Sequence, residues 1–242
     1  MNPRLDEILV RRDLAPTLAV AGAMICAGEV FVDGQNVDKA GIRYPDQVKI
    51  VVRERIPFVS RGGFKIESGL DAFAFDPTGI VCADIGASSG GFTDCLLQRG
   101  AQKVYAVDVA YGQFDWKLRQ DARVVLIERF NARNISKKQI PEPLGLAVID
   151  VSFISLTRII PPLLPLFDRE ITIIALIKPQ FELARHQVPP GGVVLDSELH
   201  QVAIDKIKDF GLKLGLKCQG VKTSPIRGPK GNREFLILLR SS

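Results

Sequence analysis

The sequence contains few residues of the types that bind transition metals or form disulfides. Of its 242 residues only two are histidines, and no two cysteines have the spacing of metal ligands. The cysteines lie far apart, and two of them fall in apolar runs: Cys26, Cys82, Cys95 and Cys218. We therefore expect no metal site, and we expect reduced thiols in a cytoplasmic protein.

Long apolar segments are also missing. No run of about 18 apolar residues occurs, which excludes a membrane-spanning helix. The N-terminus, MNPRLDEILVRRD, is charged throughout and does not resemble a secretion signal. The chain is nevertheless 46% hydrophobic, which is sufficient for the core of one large domain, or of an ordinary domain plus a small one.

The net charge of +5 is compatible with an RNA partner but does not by itself identify one. The positive charge is concentrated near the C-terminus, where residues 201–242 contain nine Lys or Arg and three acids. A solvated helix face followed by a basic tail would explain this distribution equally well.

The central stretch, residues 80–111, has the pattern of half a nucleotide-binding unit. An apolar run ends in Asp84, a turn of small residues follows, a helical segment spans residues 92–98, and a second apolar run ends in Asp108. Strand, glycine loop, helix, strand and acid in this order indicate a doubly wound fold. The alternative is a tight turn that binds no ligand.

These residues predict the kind of ligand. Asp108 follows the second strand, where a carboxylate can accept both hydroxyls of a ribose. The spacing differs from GxGxxG, and Asp84 disfavours a pyrophosphate, so we expect a cationic ligand such as S-adenosylmethionine. Asn131, after the third strand, either contacts adenine or is an ordinary loop residue. The expected cofactor contacts are Asp84, Gly86, Ser88, Ser89, Gly90, Phe92, Asp108, Asn131 and Asp150.

Strands and helices alternate through the rest of the chain, which predicts a Rossmann-like α/β fold with a mostly parallel sheet. Further strands are expected at 124–127, 146–149 and 171–177, and a long helix at 197–214. Pro161-Pro162 is expected to end or bend a helix, and residues 182–195 to form a mobile loop. No helix separates the final strands, 217–222 and 233–239, so they should be antiparallel.

Ligands of doubly wound sheets bind beyond the carboxyl ends of the strands. Asp84, Asp108, Asp150 and Lys178 all follow strands and should lie at this edge. Glu234 reaches the same edge only if its strand is antiparallel. Lys65 lies on the first turn of a helix, an unfavourable position for a cation unless it has another role. Two ordinary ion pairs, or a surface lysine at position 65, remain the alternatives.

Residues 2–52 form a separate small module. Leu5, Ile8 and Leu9 have helical spacing, Pro16-Thr17 opens a second helix, and short strands follow near residues 30–37 and 48–52. The segments RLDEILV, ICAGEVFVDGQNV and DQVKIVV resemble the S4 RNA-binding domain. We therefore expect an S4-like domain with its linker at 1–57 and a catalytic domain at 58–242.

The resemblance has one departure, because Thr17-Leu18 stands where the S4 family often has Ser-Arg. RNA contacts would then depend on few residues, and docking onto a protein is the alternative. The expected RNA-binding residues are Arg4, Arg11, Arg12, Lys39 and, beyond the linker, Arg61.

Five further segments, GASSGGFTDCLLQRGA, VDVAYGQ, VIDVSFIS, IKPQFE and GNREF, are similar to the TlyA-type ribosomal RNA 2′-O-methyltransferases, long labelled haemolysin A. Their catalytic half resembles the FtsJ-like methyltransferases. The resemblance implies S-adenosylmethionine-dependent methylation of a ribose 2′-hydroxyl, of cytidine in 16S and/or 23S ribosomal RNA of ribosomal subunits. We further expect a monomer or weak oligomer and, because long apolar segments are missing, no membrane partner.

The family's catalytic tetrad falls on Lys65, Asp150, Lys178 and Glu234. The chemistry assigns Lys178 as general base, the two carboxylates as orienting groups and Lys65 as electrostatic support. Desolvation and the charge of Lys65 favour a neutral Lys178 amine, while the carboxylates oppose it. The competing functions are a membrane-active cytolysin and an RNA-binding protein with a vestigial methyltransferase fold.

Overall fold

The computed structural model describes residues 2–53 and 56–241. The chain divides into two compact units, Met1–Pro57 and Phe58–Ser242. Residues 54 and 55, in the middle of the predicted linker, lie outside the described residues.

The first unit places two helices beside a small antiparallel sheet, as the S4 resemblance predicts. The sheet order is β2-β1-β3. The elements are α1 (Leu5–Arg11), α2 (Leu18–Cys26), β1 (Val30–Val32), β2 (Gln35–Asn36) and β3 (Ile50–Val52). The apolar residues that predict α1, Leu5, Ile8 and Leu9, are fully buried. The Thr17 hydroxyl caps α2 by accepting a hydrogen bond from the Val20 N–H.

The second unit is built on a seven-stranded sheet of order β6-β5-β4-β7-β8-β10-β9. Strands β4 to β8 are parallel to one another, and β10 is antiparallel to both of its neighbours. The strands are β4 (Val81–Ile85), β5 (Lys103–Val107), β6 (Val124–Ile127), β7 (Leu146–Ile149), β8 (Thr172–Ile177), β9 (Leu216–Thr223) and β10 (Phe235–Ser241).

Helices cover both faces of this sheet. The apolar residues on one side of the strands pack with α3 and α4, and those on the other side pack with α6 and α8. The helices are α3 (Gly62–Ala72), α4 (Gly91–Gln98), α5 (Trp116–Arg119), α6 (Ile160–Leu163), α7 (Pro179–Glu182) and α8 (Ser197–Lys213). The predicted doubly wound, Rossmann-like α/β fold is therefore confirmed.

The reversed direction of β10 matters for the site. Phe235 at the start of β10 pairs with Ile177 at the end of β8. Glu234 and Lys178 therefore meet at the carboxyl edge of the parallel strands, although one precedes its strand and the other follows it. The predicted antiparallel final pair is confirmed.

Three local features differ from what the sequence predicts. Pro161 and Pro162 occupy the first turn of α6 rather than ending a helix, because proline lacks the N–H that a first turn leaves unpaired. The helical turn α7, directly after Lys178, was not predicted. Strand β4 extends one residue beyond Asp84, to Ile85. Among the described residues, no helix is both long and apolar enough to cross a membrane.

Candidate active site

The glycine loop joins β4 to α4 and contacts the end of β7. Gly86 has φ +88°, and a Cβ there would lie 2.3 Å from the Asp150 carbonyl oxygen. Both the backbone conformation and the close approach therefore require glycine. This contact brings Asp150 to the rim of the loop. Gly90, with φ +94°, is the N-cap of α4.

Asp84 differs from its predicted role. Its side chain is fully buried, and Oδ2 accepts hydrogen bonds from the Thr93 N–H at 2.9 Å and the Thr93 hydroxyl at 2.7 Å. Desolvation raises the pKa of the Asp84 carboxyl to about 7, although Thr93 favours the charged form. Asp84 therefore ties β4 to α4 beneath the loop, because one more residue of strand carries its side chain into the interior.

Asp108 lies where the sequence predicts, immediately after β5. Its carboxylate accepts the Ser88 N–H and the Ala110 N–H, each at 2.7 Å. These two bonds fix the carboxylate at the rim of a cavity of about 790 Å³, here called the large cavity. Each Asp108 carboxylate oxygen retains a lone pair that can accept a hydrogen bond from a hydroxyl.

The large cavity collects several of the predicted cofactor contacts: Gly86, Ser88, Asp108, Asn131 and Asp150. The Asn131 side-chain oxygen accepts the Arg133 N–H at 3.1 Å, which fixes the amide at the rim. A smaller cavity of about 250 Å³, the loop cavity, also borders the glycine loop. It is lined by Ser88, Ser89, Phe92 and Asp150 together with Arg61 and Lys65.

The four predicted catalytic residues form a continuous chain of ion pairs. Lys65 Nζ lies 2.7 Å from Glu234 Oε2 and 3.6 Å from Asp150 Oδ2. Lys178 Nζ lies 2.5 Å from Asp150 Oδ1. The Asp150 carboxylate therefore bridges two ammonium groups. The Glu234 side chain is almost fully buried at 1% exposure, while those of Lys65 and Lys178 retain 10%.

A third cavity of about 370 Å³, the Lys178 cavity, opens beside this chain. Lys178 and Glu234 line it, and so do Ser152 and Phe153, which also line the large cavity. The Phe153 side chain is 90% exposed, and its ring centroid lies 5.1 Å from that of Phe181. The segment after Asp150 thus separates two cavities, and the Lys178 amine belongs to the far one.

The predicted RNA-binding residues of the first unit have varied surroundings. Arg4 pairs with Asp6 at 2.7 Å and Arg11 with Asp46 at 2.9 Å. Arg12 donates to the backbone carbonyls of Val48, at 2.8 Å, and Asp46. Lys39 is exposed. Arg12 therefore stabilises the fold of its own unit, whatever else it binds.

Sequence reasoning missed four hydrogen-bonded polar residues in the catalytic unit, one of which, Ser152, contacts the ion-pair chain directly. The Ser152 hydroxyl accepts a hydrogen bond from Lys178 Nζ at 3.0 Å. Buried Glu182 accepts from the Ser155 hydroxyl at 2.5 Å and from the Leu156 N–H at 2.8 Å. Asn232 and Thr93 are also buried and hydrogen-bonded. Each lies inside a segment that carries the family resemblance, but only the fold shows what each one contacts.

Two family models match the chain. Residues 58–241 match the FtsJ-like methyltransferase family, and residues 3–45 match the S4 domain. Methyltransferases of low identity share the fold, for example one from Listeria monocytogenes (14% identity, TM-score 0.53, 76% of this chain and 100% of that chain). The chain therefore belongs to the FtsJ-like methyltransferases and has an S4 domain in front.

More similar relatives narrow the family. The chain is 43% identical over 98% of its length to the 16S/23S rRNA (cytidine-2′-O)-methyltransferase TlyA of Mycobacterium tuberculosis, covering 90% of it. It is 40% identical over 96% of its length to Hemolysin A of Brachyspira hyodysenteriae, covering 98%. A solved structure of a Streptococcus thermophilus protein described as a hemolysin superposes with TM-score 0.76 at 38% identity, covering all of this chain and 89% of that one. The chain belongs to the TlyA family.

Proposed function

We propose that this protein transfers a methyl group from S-adenosylmethionine to the 2′-hydroxyl of a cytidine in 16S and/or 23S ribosomal RNA. The observation that carries the proposal is the ion-pair chain Glu234–Lys65–Asp150–Lys178, which runs between the large cavity and the Lys178 cavity. A donor on one side and an acceptor on the other would meet at Asp150 and Lys178. The cytidine and the ribosomal RNA come from the name of the M. tuberculosis relative.

The large cavity fits S-adenosylmethionine. Its volume of about 790 Å³ falls within the range of small-molecule sites. The Asp108 carboxylate, fixed by two backbone N–H groups, suits the two hydroxyls of a ribose. Asn131 also lines this cavity, and it is the residue proposed to contact the adenine. When bound, S-adenosylmethionine supplies an electrophilic methyl group on a sulfonium.

The residues around Lys178 fit the chemistry of the acceptor. A ribose hydroxyl is a weak acid, and Lys178 in its neutral form would accept its proton as the oxygen–carbon bond forms and the carbon–sulfur bond of the donor breaks, leaving a neutral thioether. Asp150 and Ser152 hold the amine in place, at 2.5 Å and 3.0 Å. Lys65 pairs with both Asp150 and Glu234, which fixes the two carboxylates relative to each other and balances their negative charge. General-base catalysis of this kind contributes roughly 100- to 10,000-fold, and alignment supplies the rest.

The RNA is proposed to engage both units, through Lys39, Arg11 and Arg4 of the S4 domain and through Arg61 at the loop cavity. Lys39 and Arg61 are exposed. The ion pair of Arg11 with Asp46 is exposed, so exchanging its carboxylate for a phosphate costs little. The Asp6 partner of Arg4 is buried, so Arg4 would contact RNA while it keeps this ion pair. We propose accordingly that residues 1–57 act as the RNA-binding domain, residues 58–242 as the catalytic domain, and that the protein works in the cytoplasm.

The direct test is incubation of the purified protein with methyl-labelled S-adenosylmethionine and isolated small and large ribosomal subunits. The modified nucleotide is then mapped by nuclease digestion and mass spectrometry. We expect label on the 2′-oxygen of a cytidine. Label on a base, or on no ribosomal RNA, would contradict the proposal.

The cofactor assignment has its own test. Asp108→Ala removes the carboxylate from the rim of the large cavity and should weaken S-adenosylmethionine binding about ten-fold or more, since a charged hydrogen-bonding group is removed. Calorimetry measures the dissociation constant. An unchanged constant would remove Asp108 from the ribose site.

A further inference from the structure

The side chain of Asn232 joins two loops that border the Lys178 cavity. Its Oδ1 accepts the Val194 N–H at 2.9 Å, and its Nδ2 donates to the Gly192 carbonyl at 2.8 Å. Only 2% of the residue is exposed. Gly192 lines the cavity from the loop before α8, and Gly228 and Asn232 itself line it from the loop before β10. One amide therefore fixes the position of one wall relative to the other.

The Val194 backbone is held from its other side as well. Its carbonyl lies 2.9 Å from His200 Nε2 on α8, and the His200 ring packs edge-on against Phe235. Val194 is buried, whereas most of residues 184–191 are exposed. The segment predicted as a mobile loop is thus fixed at Gly192–Val194, here called the anchored limb, and Gly192 at its start lines the cavity.

The backbone of Asn232 fixes a turn that lies beside Glu234, one of the four predicted catalytic residues. Its carbonyl accepts the Gly228 N–H at 2.9 Å, which closes a tight turn against the Glu234 carboxylate. A Cβ at Gly228 would lie 2.5 Å from Glu234 Oε1, so this turn leaves no space beside the carboxylate. Asn232 thus joins the anchored limb to the Gly228 turn, which lies against the Glu234 carboxylate.

We propose that Asn232 is a positioning residue that sets the width of the Lys178 cavity for the acceptor nucleoside. It acts through the Gly192–Val194 limb and the Gly228 turn, and it does not itself take part in the reaction. The proposal rests on the proposed function, because it assigns the Lys178 cavity to the methyl acceptor. It predicts that loss of the Asn232 amide weakens binding of the acceptor RNA and leaves the affinity for S-adenosylmethionine unchanged.

The test is Asn232→Asp, which preserves shape and the acceptor for the Val194 N–H but replaces the donor to Gly192 with a charged oxygen. We expect KM for the ribosomal subunit to rise about ten-fold or more. The reason is that the new carboxylate oxygen faces the Gly192 carbonyl and cannot donate a hydrogen bond to it, so both groups are left unpaired. We expect kcat, and the S-adenosylmethionine dissociation constant from calorimetry, to stay close to their wild-type values.

Gln201→Glu is the matched control. It makes the same change of amide to carboxylate on α8, where the Gln201 amide donates to Asp205 at 2.8 Å on the exposed surface. It should leave KM unchanged. If the Asp variant does not fold, Gly192→Ala strains the same limb from outside the core, because Gly192 has φ +77° and open space around it. It should raise KM in the same direction by a smaller factor.

Amide hydrogen exchange of residues 188–194, without RNA, tests the anchor independently of catalysis. Asn232→Asp should speed exchange in this segment, and the control should not. Unchanged exchange would overturn the anchoring role, and faster exchange with unchanged KM would overturn the role in acceptor binding. A wild-type protein that methylates no RNA would refute the proposed function, while the exchange measurement would still decide whether the anchor exists.

Discussion

At the scale of single residues, the proposed reaction depends on one amine with two partners. Lys178 Nζ contacts Asp150 and Ser152 and lines the cavity assigned to the acceptor. Lys178→Ala should reduce methyl transfer to the background rate, because no other group replaces a base that contributes roughly 100-fold or more. The measurement is single-turnover transfer of labelled methyl to ribosomal subunits.

The S-adenosylmethionine dissociation constant is the control for this variant and should stay unchanged, since Lys178 does not line the large cavity. Ser152→Ala offers a graded comparison. It removes one partner of the amine and should lower the rate less than the loss of the amine itself. Near-normal turnover in Lys178→Ala would assign the proton transfer to another group.

Asp84 gives a pH prediction for stability. Burial raises the pKa of its carboxyl in the folded protein to about 7, from an ordinary value of 3.8. Between these values the folded state holds a proton that the unfolded state has released, so the contribution of Asp84 to stability falls as pH rises through this window. Below it, the contribution is fully present.

Asp84→Asn isolates this contribution, because asparagine has the same shape and can accept both hydrogen bonds from Thr93. The free energy of unfolding of wild type minus that of the variant should decrease as pH rises from about 4 to about 7, by at most about 1.4 kcal/mol per pH unit. Urea denaturation at several pH values measures it. A difference that is constant across this range would show that Asp84 is ionised in the folded protein.

At the scale of elements, the turn between β4 and α4 requires a glycine for two separable reasons. Gly86 has a positive φ, and its Cα faces the Asp150 carbonyl oxygen at a distance that excludes a Cβ. Gly79, just before β4, also has a positive φ, of +74°, but has open space around it. Alanine at Gly79 should therefore cost about 1 kcal/mol through backbone strain alone.

Alanine at Gly86 should cost about 1–3 kcal/mol beyond that, the usual effect of forcing extra volume into a packed site. It should also weaken S-adenosylmethionine binding, because it displaces Asp150 from the loop. Thermal denaturation and calorimetry of both variants measure the two effects. Equal stability losses at the two positions would show that the contact with Asp150 yields without cost.

How much of these elements could be predicted from the sequence depends on whether local or distant interactions decide them. The bounds predicted for the strands at 124–127 and 146–149 agree with the structure, because a short apolar run between turns can be little else. The antiparallel β10 follows from the missing crossover helix. The prediction for Pro161-Pro162 is wrong because proline is compatible both with the end of a helix and with its first turn, and the local sequence does not distinguish the two.

The site shows the same division. A position directly after a strand predicts a residue at the sheet edge, and Asp108, Asp150 and Lys178 all lie there. Asp84 does not, because β4 continues to Ile85. Asp84 therefore lies within the strand, and its side chain is buried between the sheet and α4. Asn232 could not be assigned from the sequence, since its partners Gly192 and Val194 lie some 40 residues away along the chain.

At the scale of the whole molecule, the two compact units allow RNA engagement to be separated from cofactor binding. The first unit has a core of its own, which includes Leu5, Leu9 and Ile25, while the large cavity and the ion-pair chain belong entirely to residues 58–241. Helix α2 of the first unit begins with Leu18, which is 54% exposed. This is the position at which the S4 family often has arginine.

Deletion of residues 1–57 should therefore leave the S-adenosylmethionine dissociation constant close to that of the full chain, while KM for ribosomal subunits rises. Because the shortened chain binds fewer phosphates, its RNA affinity should also depend less steeply on salt, with the slope falling by about one for each phosphate that it no longer neutralises. Filter binding at several salt concentrations measures the slope. Equal affinity and equal slope with and without the S4 domain would show that residues 58–242 alone recognise the RNA.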